Sequence, residues 1–147
     1  MKKMYEVVRI KQEIREAESQ FDLRLNSPGA VAFLAEDLIG EEDREVLLVI
    51  CLNSKNHINA VHRCHIGTLN SSVVHPREVF KSAILNNSAS IILAHNHPST
   101  EVYPSSADIE ITKKVKQAGE TLGIELLDHV IVSGTGKYLS IFEEGLL

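Results

Sequence analysis

Tryptophan is absent from the sequence, cysteine occurs only twice in 147 residues, and there is no excess of positive charge. Cys51 and Cys64 each lie inside an apolar stretch. Two such residues cannot build the disulfide framework of a small secreted domain, and they read as small buried side chains in a reducing compartment. Fifteen Lys and Arg against twenty Asp and Glu leave a formal charge of −5, a poor electrostatic match to nucleic acid. No apolar run approaches the roughly 18 residues of a membrane span. The opening Met1-Lys2-Lys3-Met4-Tyr5-Glu6 has no apolar core behind its lysines, so no signal peptide is expected and the chain is assigned to the cytoplasm. Repeats, low-complexity tracts and linkers are also missing. What remains is an ordinary globular composition, 44% hydrophobic and 24% charged. At this length a single domain buries about 68–70% of its unfolded surface.

Tyr5–Ile10 reads as a short strand and Lys11–Arg24 as a charged arm, which makes residues 1–26 an N-terminal extension and 27–147 the domain proper. Ser27-Pro28-Gly29 opens a helix, with Ser27 as cap, Pro28 in the first turn, Val31, Leu34, Ala35 and Leu38 as its apolar stripe, and Gly40 at its end. Val46–Leu52 is continuously apolar and is expected to be a strand buried on both faces. A second strand runs from about His57 to Ile66, with Ile58, Ala60, His62, Cys64 and Ile66 on one face. Pro76 begins another helix that buries Val79, Phe80, Ala83 and Ile84, and Ser90–His95 is a third apolar strand. A long helix from Ser105 is stopped by Gly123, and Leu126–Val132 with Tyr138–Phe142 forms a hairpin around Ser133-Gly134-Thr135-Gly136. Interleaved strands and helices of this kind give one mixed sheet with helices on its faces.

The third strand runs into His95-Asn96-His97-Pro98-Ser99. Side chains alternate along an extended chain, so His95 and His97 project to the same side. Asp108 continues the apolar stripe of Ile111, Val115, Ala118 and Leu122, so its carboxylate faces the sheet, where it needs a partner. Two imidazoles and one carboxylate leave room for a fourth ligand on a tetrahedral zinc ion, the open coordination of catalytic zinc. The same letters have a plainer meaning: Ser105-x-x-Asp108 is a helix capping box with Asp in place of Glu, and His-x-His can be two polar residues at a strand end.

The run His-x-His, seven residues, Ser, two residues, Asp resembles the motif of JAMM (MPN-plus, or JAB) zinc metallopeptidases. The stretches Thr68–Phe80, Ala94–Ser99 and Leu127–Val132 narrow the resemblance to the RadC family of bacterial JAMM-domain proteins, over roughly Ser27 to Leu147. It implies a single JAMM/MPN-type α/β domain, a mixed central sheet flanked by helices in a cytidine-deaminase-like layering. It implies His95, His97 and Asp108 as ligands of one catalytic zinc and Ser105 as the serine that helps hold the oxyanion. It also implies a glutamate before the first central strand as general base, here Glu45, with Glu41 and Glu42 as nearby competitors. The activity implied is hydrolysis of a peptide or isopeptide bond by a zinc-activated water.

Fuller RadC-type chains carry an N-terminal helix-hairpin-helix region, whereas only about 45 residues precede the first central strand here. DNA association drawn from the family's repair-related name is therefore not expected of this chain. The short connection from Gly67 to Pro76 leaves no room for the insertions by which eukaryotic relatives hold ubiquitin. Other histidines read as structural: His62-x-x-His65 cannot place both rings on one face of a strand, His75 starts a helix, and His129 beside Asp128 is a satisfied core histidine. Two further readings stand: a catalytically idle, zinc-stabilised interaction module associated with DNA repair or mobile elements, and a non-haem iron oxygenase, which uses the same ligand set.

Overall fold

Five strands form one sheet in the order β2-β1-β3-β4-β5 in the computed structural model of the chain, which describes residues 1–17 and 24–147. The elements are α1 (Pro28–Ile39), β1 (Val46–Leu52), β2 (Ile58–Ile66), α2 (Pro76–Leu85), β3 (Ser90–Asn96), α3 (Ser106–Leu122), β4 (Glu125–Val132) and β5 (Tyr138–Ser140). All neighbours are antiparallel except β3 and β4, which run parallel and are joined through α3.

The all-apolar strand β1 and the largely apolar β3 are buried along their whole length because helices cover both faces. Leu48 and Ile50 of β1 pack with Val31, Ala35 and Ile39 of α1 on one face. Leu47, Val49 and Cys51 pack on the other with Val79 and Phe80 of α2 and Ile111 and Val115 of α3. Each helix starts where its capping chemistry lies. Ser27 accepts from the Ala30 N–H, His75 from Arg77 and Ser105 from Asp108, and proline follows the cap in α1 and α2. Gly123 ends α3 in the left-handed conformation, with φ of 73°. No helix among the described residues is long and apolar enough to cross a membrane.

Three expectations are corrected. Ile84, expected on the buried side of α2, is 54% exposed, and Ser82 is buried on that helix with Val79, Phe80 and Ala83. Residues 5–10 form no strand; they are exposed, and among the described residues the first extended pairing is the isolated bridge of Arg24 with His57. The middle of the expected charged arm, residues 18–23, lies outside the described residues. The even-numbered residues of β2 also do not share one face. Register shifts opposite Leu47/Leu48 and Cys51/Leu52 insert extra residues in β2. Ala60 and Cys64 pack on the α2–α3 side, whereas Ile58 packs on the α1 side and Ile66 pairs with Val46 at 59% exposure. Each bulge reverses the in–out order of the residues beyond it, which an alternation pattern cannot register.

Candidate metal centre

The strand order brings together the end of β3 and the start of β1. They pair antiparallel with Leu47 opposite His95. Two residues back from Leu47 is Glu45 and two on from His95 is His97, so one register sets Glu45 against His97. The first turn of α3 delivers Asp108 from the far side of the same corner. The Nε2 atoms of His95 and His97 lie 2.9 Å apart. Asp108 places Oδ1 3.4 Å from His95 Nε2 and Oδ2 3.2 Å from His97 Nε2. Glu45 Oε1 lies 3.8 Å from His97 Nε2, and its Oε2 accepts the Leu69 N–H at 3.1 Å. Glu41 and Glu42 stay in the exposed turn before β1, Glu42 beside Arg63.

The centre is dry on one side and open on the other. His95 is wholly buried and the Asp108 side chain is 2% exposed, while those of His97 and Glu45 are 12% and 23% exposed. The capping-box meaning of Ser105-x-x-Asp108 holds. Ser105 Oγ accepts the Asp108 N–H at 3.1 Å, and Asp108 Oδ2 accepts the Ser105 N–H at 2.9 Å, completing the capping box. The same carboxylate faces both histidines.

Each imidazole is held from behind. His97 Nδ1 lies 2.6 Å from the Glu101 carbonyl, which can only accept, so the ring proton sits on Nδ1 and Nε2 presents its lone pair. His95 Nδ1 lies 2.6 Å from His129 Nε2, and His129 Nδ1 lies 2.6 Å from Thr112 Oγ1. The burial of His129 fits a core histidine, but its contact with His95 has no signature in the residues around it. The one cue in the sequence is Asp108 and Thr112, one turn apart on the buried stripe of α3.

Charge follows geometry. Burial alone would push the Asp108 carboxyl up, yet the two imidazoles set against its oxygens and the Ser105 N–H hold it well below the usual carboxylate range. Burial works against protonated His97, but the Asp108 carboxylate and the Glu101 carbonyl outweigh it and raise its pKa. Burial drives His129 well below the ordinary imidazole value, so this ring is neutral.

The donor set suits a metal ion. Glu45, His95 and His97 each offer a ligand atom within 4.8 Å of the others. A tetrahedral zinc with bonds of about 2.0–2.1 Å separates its ligand atoms by about 3.3–3.4 Å. The Asp108 oxygens stand at such spacings from the two imidazoles, and Glu45 is a step farther out. His62 and His65 are not part of this group: His62 is exposed, and His65 Nε2 lies 3.3 Å from the Thr68 carbonyl. Cys51 and Cys64 are free thiols.

Residues 25–146 match the family model described as RadC-like JAB domain. A UPF0758 protein of Desulfitobacterium hafniense is 48% identical over 123 residues, covering 84% of this chain and 54% of its own length. A UPF0758 protein of Clostridium beijerinckii is 47% identical over 126 residues, 86% of this chain and 55% of its own. One from Methanosarcina barkeri is 46% identical over 121 residues, 82% and 52%. The chain thus spans about half the length of these relatives.

Proposed function

This chain belongs to the RadC-like JAB domain family, and on that footing we propose that it is a zinc-dependent metallohydrolase of peptide or isopeptide bonds. One observation carries the reading: two imidazole Nε2 atoms, the buried Asp108 carboxylate and the half-open Glu45 carboxylate converge at one strand end. In this reading His95, His97 and Asp108 hold the ion, and Glu45 stands beside it without binding. A zinc ion held there would supply Lewis acidity for the carbonyl and would lower the pKa of water toward neutrality.

The remaining work falls to the chain. Glu45 Oε1 faces the open side, where it takes a proton from the attacking water and returns it to the leaving amine. Its other oxygen is occupied by the Leu69 N–H, which fixes the direction of the carboxylate. Ser105 Oγ accepts from the Asp108 N–H, so its hydroxyl proton can be donated to a carbonyl oxygen as that oxygen gains charge. The backbone partner of His97 and the buried partner of His95 keep both rings from turning.

The test is metal analysis of protein purified without added metal, followed by a peptide-library cleavage screen on zinc-loaded protein. About one zinc per chain, with cleavage lost on chelation and regained with zinc, supports the reading. Iron as the bound metal favours the oxygenase alternative. Unfolding on chelation, with no cleavage in the loaded form, favours the idle interaction module.

A further inference from the structure

The two candidate histidine ligands are held by different kinds of partner. His97 leans on a backbone carbonyl, which can only accept a proton. His95 leans on another imidazole, which can donate or accept, so its polarity must be set by something beyond it. That something is Thr112. Its hydroxyl donates to the Asp108 carbonyl at 2.6 Å, one turn back in α3. A carbonyl has no proton to give, so the single hydroxyl proton is committed there. Toward His129 Nδ1, 2.6 Å away, Thr112 Oγ1 can only accept. His129 therefore carries its proton on Nδ1. Among the described residues neither ring nitrogen of His129 meets a carboxylate and the residue is 1% exposed, so a second proton on Nε2 would create a buried cation with no counter-charge in contact. His129 Nε2 is thus an acceptor, His95 keeps its proton on Nδ1, and His95 Nε2 turns a lone pair toward Asp108 and His97.

None of these groups has recourse to water. His95 and Thr112 are wholly buried and His129 is 1% exposed. The order of protons is therefore dictated by the protein alone. His95, His129, Thr112 and Asp108 form a closed ring, because the residue whose carbonyl anchors the hydroxyl also turns its carboxylate toward His95.

We propose that Thr112 and His129 are positioning residues of the metal centre: Thr112 fixes the tautomer of His129, and His129 in turn presents His95 Nε2 as a ligand. The inference rests on the metal-centre reading of the proposed function, and two separate measurements keep the two apart. Nitrogen-15 NMR of the imidazoles in the metal-free 147-residue chain reads the tautomers directly. The expected result is a proton on Nδ1 of both His95 and His129, with the His129 proton leaving Nδ1 in Thr112→Val. A proton on His129 Nε2 in the unsubstituted protein overturns the proposal, whether or not metal binds.

Zinc competition with a chromophoric chelator gives the second readout. Thr112→Val, which keeps shape and removes the hydroxyl, is expected to bind zinc about 10–100-fold more weakly, the usual worth of an outer partner of a ligand. Thr112→Ser restores the hydroxyl and should bind like the unsubstituted chain. His129→Phe should lose affinity, and His129→Gln, whose carbonyl can still accept from His95, should regain much of it. Equal affinity in folded Thr112→Val and the unsubstituted chain overturns the proposal. Absence of zinc binding in the unsubstituted chain overturns the metal reading instead, and the tautomers still decide the relay.

Discussion

Asn96 and Val46 are joined by a 2.7 Å hydrogen bond from the Val46 N–H to Asn96 Oδ1. Asn96 lies between the two histidines, so its side chain leaves the strand on the side opposite theirs. From there Nδ2 donates to the carbonyl of Arg44 at 3.0 Å. The backbone on both sides of Glu45 is thereby tied to the strand that carries His95 and His97. From the other edge, Gly67 N–H donates to the Glu45 carbonyl at 2.8 Å. The carboxylate thus reaches the corner from a peptide segment fixed to both neighbouring strands.

Asn96→Ala leaves the Val46 N–H and the Arg44 carbonyl without this partner. The expected loss of stability is about 1–3 kcal/mol, the cost of stranding buried polar groups. For a domain of this size each kcal/mol lowers Tm by about 2–4 °C, which thermal denaturation reads. Asn96→Asp should be at least as damaging, because it keeps an acceptor for Val46 but presents oxygen to the Arg44 carbonyl. An unchanged Tm in Asn96→Ala would show that the loop before β1 holds itself.

Asp108 does two things that substitution can separate. Asp108→Ala should lose most of the zinc and also the capping-box bond from the Ser105 N–H, costing about 0.5–1.5 kcal/mol, while Ser105 still caps α3. Asp108→Asn keeps an oxygen for the Ser105 N–H, so it should lose zinc with a smaller loss of stability. Full zinc occupancy in Asp108→Ala, measured by elemental analysis, would leave helix capping as the role of this residue.

Glu45→Gln retains size and shape but cannot take a proton. It should keep fold and zinc while losing about 10²–10⁴ in turnover, the range of general acid–base catalysis. Loss of zinc together with activity would instead make Glu45 a ligand, consistent with its place within 4.8 Å of both histidines.

The Cys64 thiol offers a pH test of the α2 face. Burial, reinforced by the nearby Glu78 carboxylate, pushes it up to about 11. A raised thiol pKa favours the neutral form in the folded state, so this contribution to stability is present below about pH 8.5 and is lost as pH rises through 11. Alkylation of Cys64 in folded protein should therefore be slow at pH 8 and quicken about tenfold per pH unit toward 11. Rapid labelling at pH 8 without unfolding would show that the side chain is more open than its packing against α2 allows.

Binding of this chain to duplex DNA should be weak. With a charge of −5, it has little with which to displace counterions from phosphate. Fluorescence anisotropy at physiological salt should give a Kd no tighter than about 10⁻⁶ M. Tighter binding that falls steeply with added salt would point to a basic surface that the net charge conceals.

The sequence by itself determined whatever is local. Caps at Ser27, His75 and Ser105 and the apolar runs of β1 and β3 are written in adjacent residues, because helix starts and buried strands obey short-range rules. The facing of His95 with His97 follows from strand alternation alone, and the inward turn of Asp108 from helical spacing. Tertiary structure decided the rest. Tyr5–Ile10 has β-branched residues but forms no strand, since strand preference is realised only against a partner. The two bulges in β2 depend on its pairing with β1 and leave no mark on the alternation. Which of Glu41, Glu42 and Glu45 reaches the corner was settled by the register of Leu47 against His95, a pairing of residues far apart in the chain. The link from His95 through His129 to Thr112 likewise needs three elements side by side. Hydrogen bonds between distant strands and across a helix–sheet interface form only once the chain has folded, and they chose the partners of residues whose types were already legible.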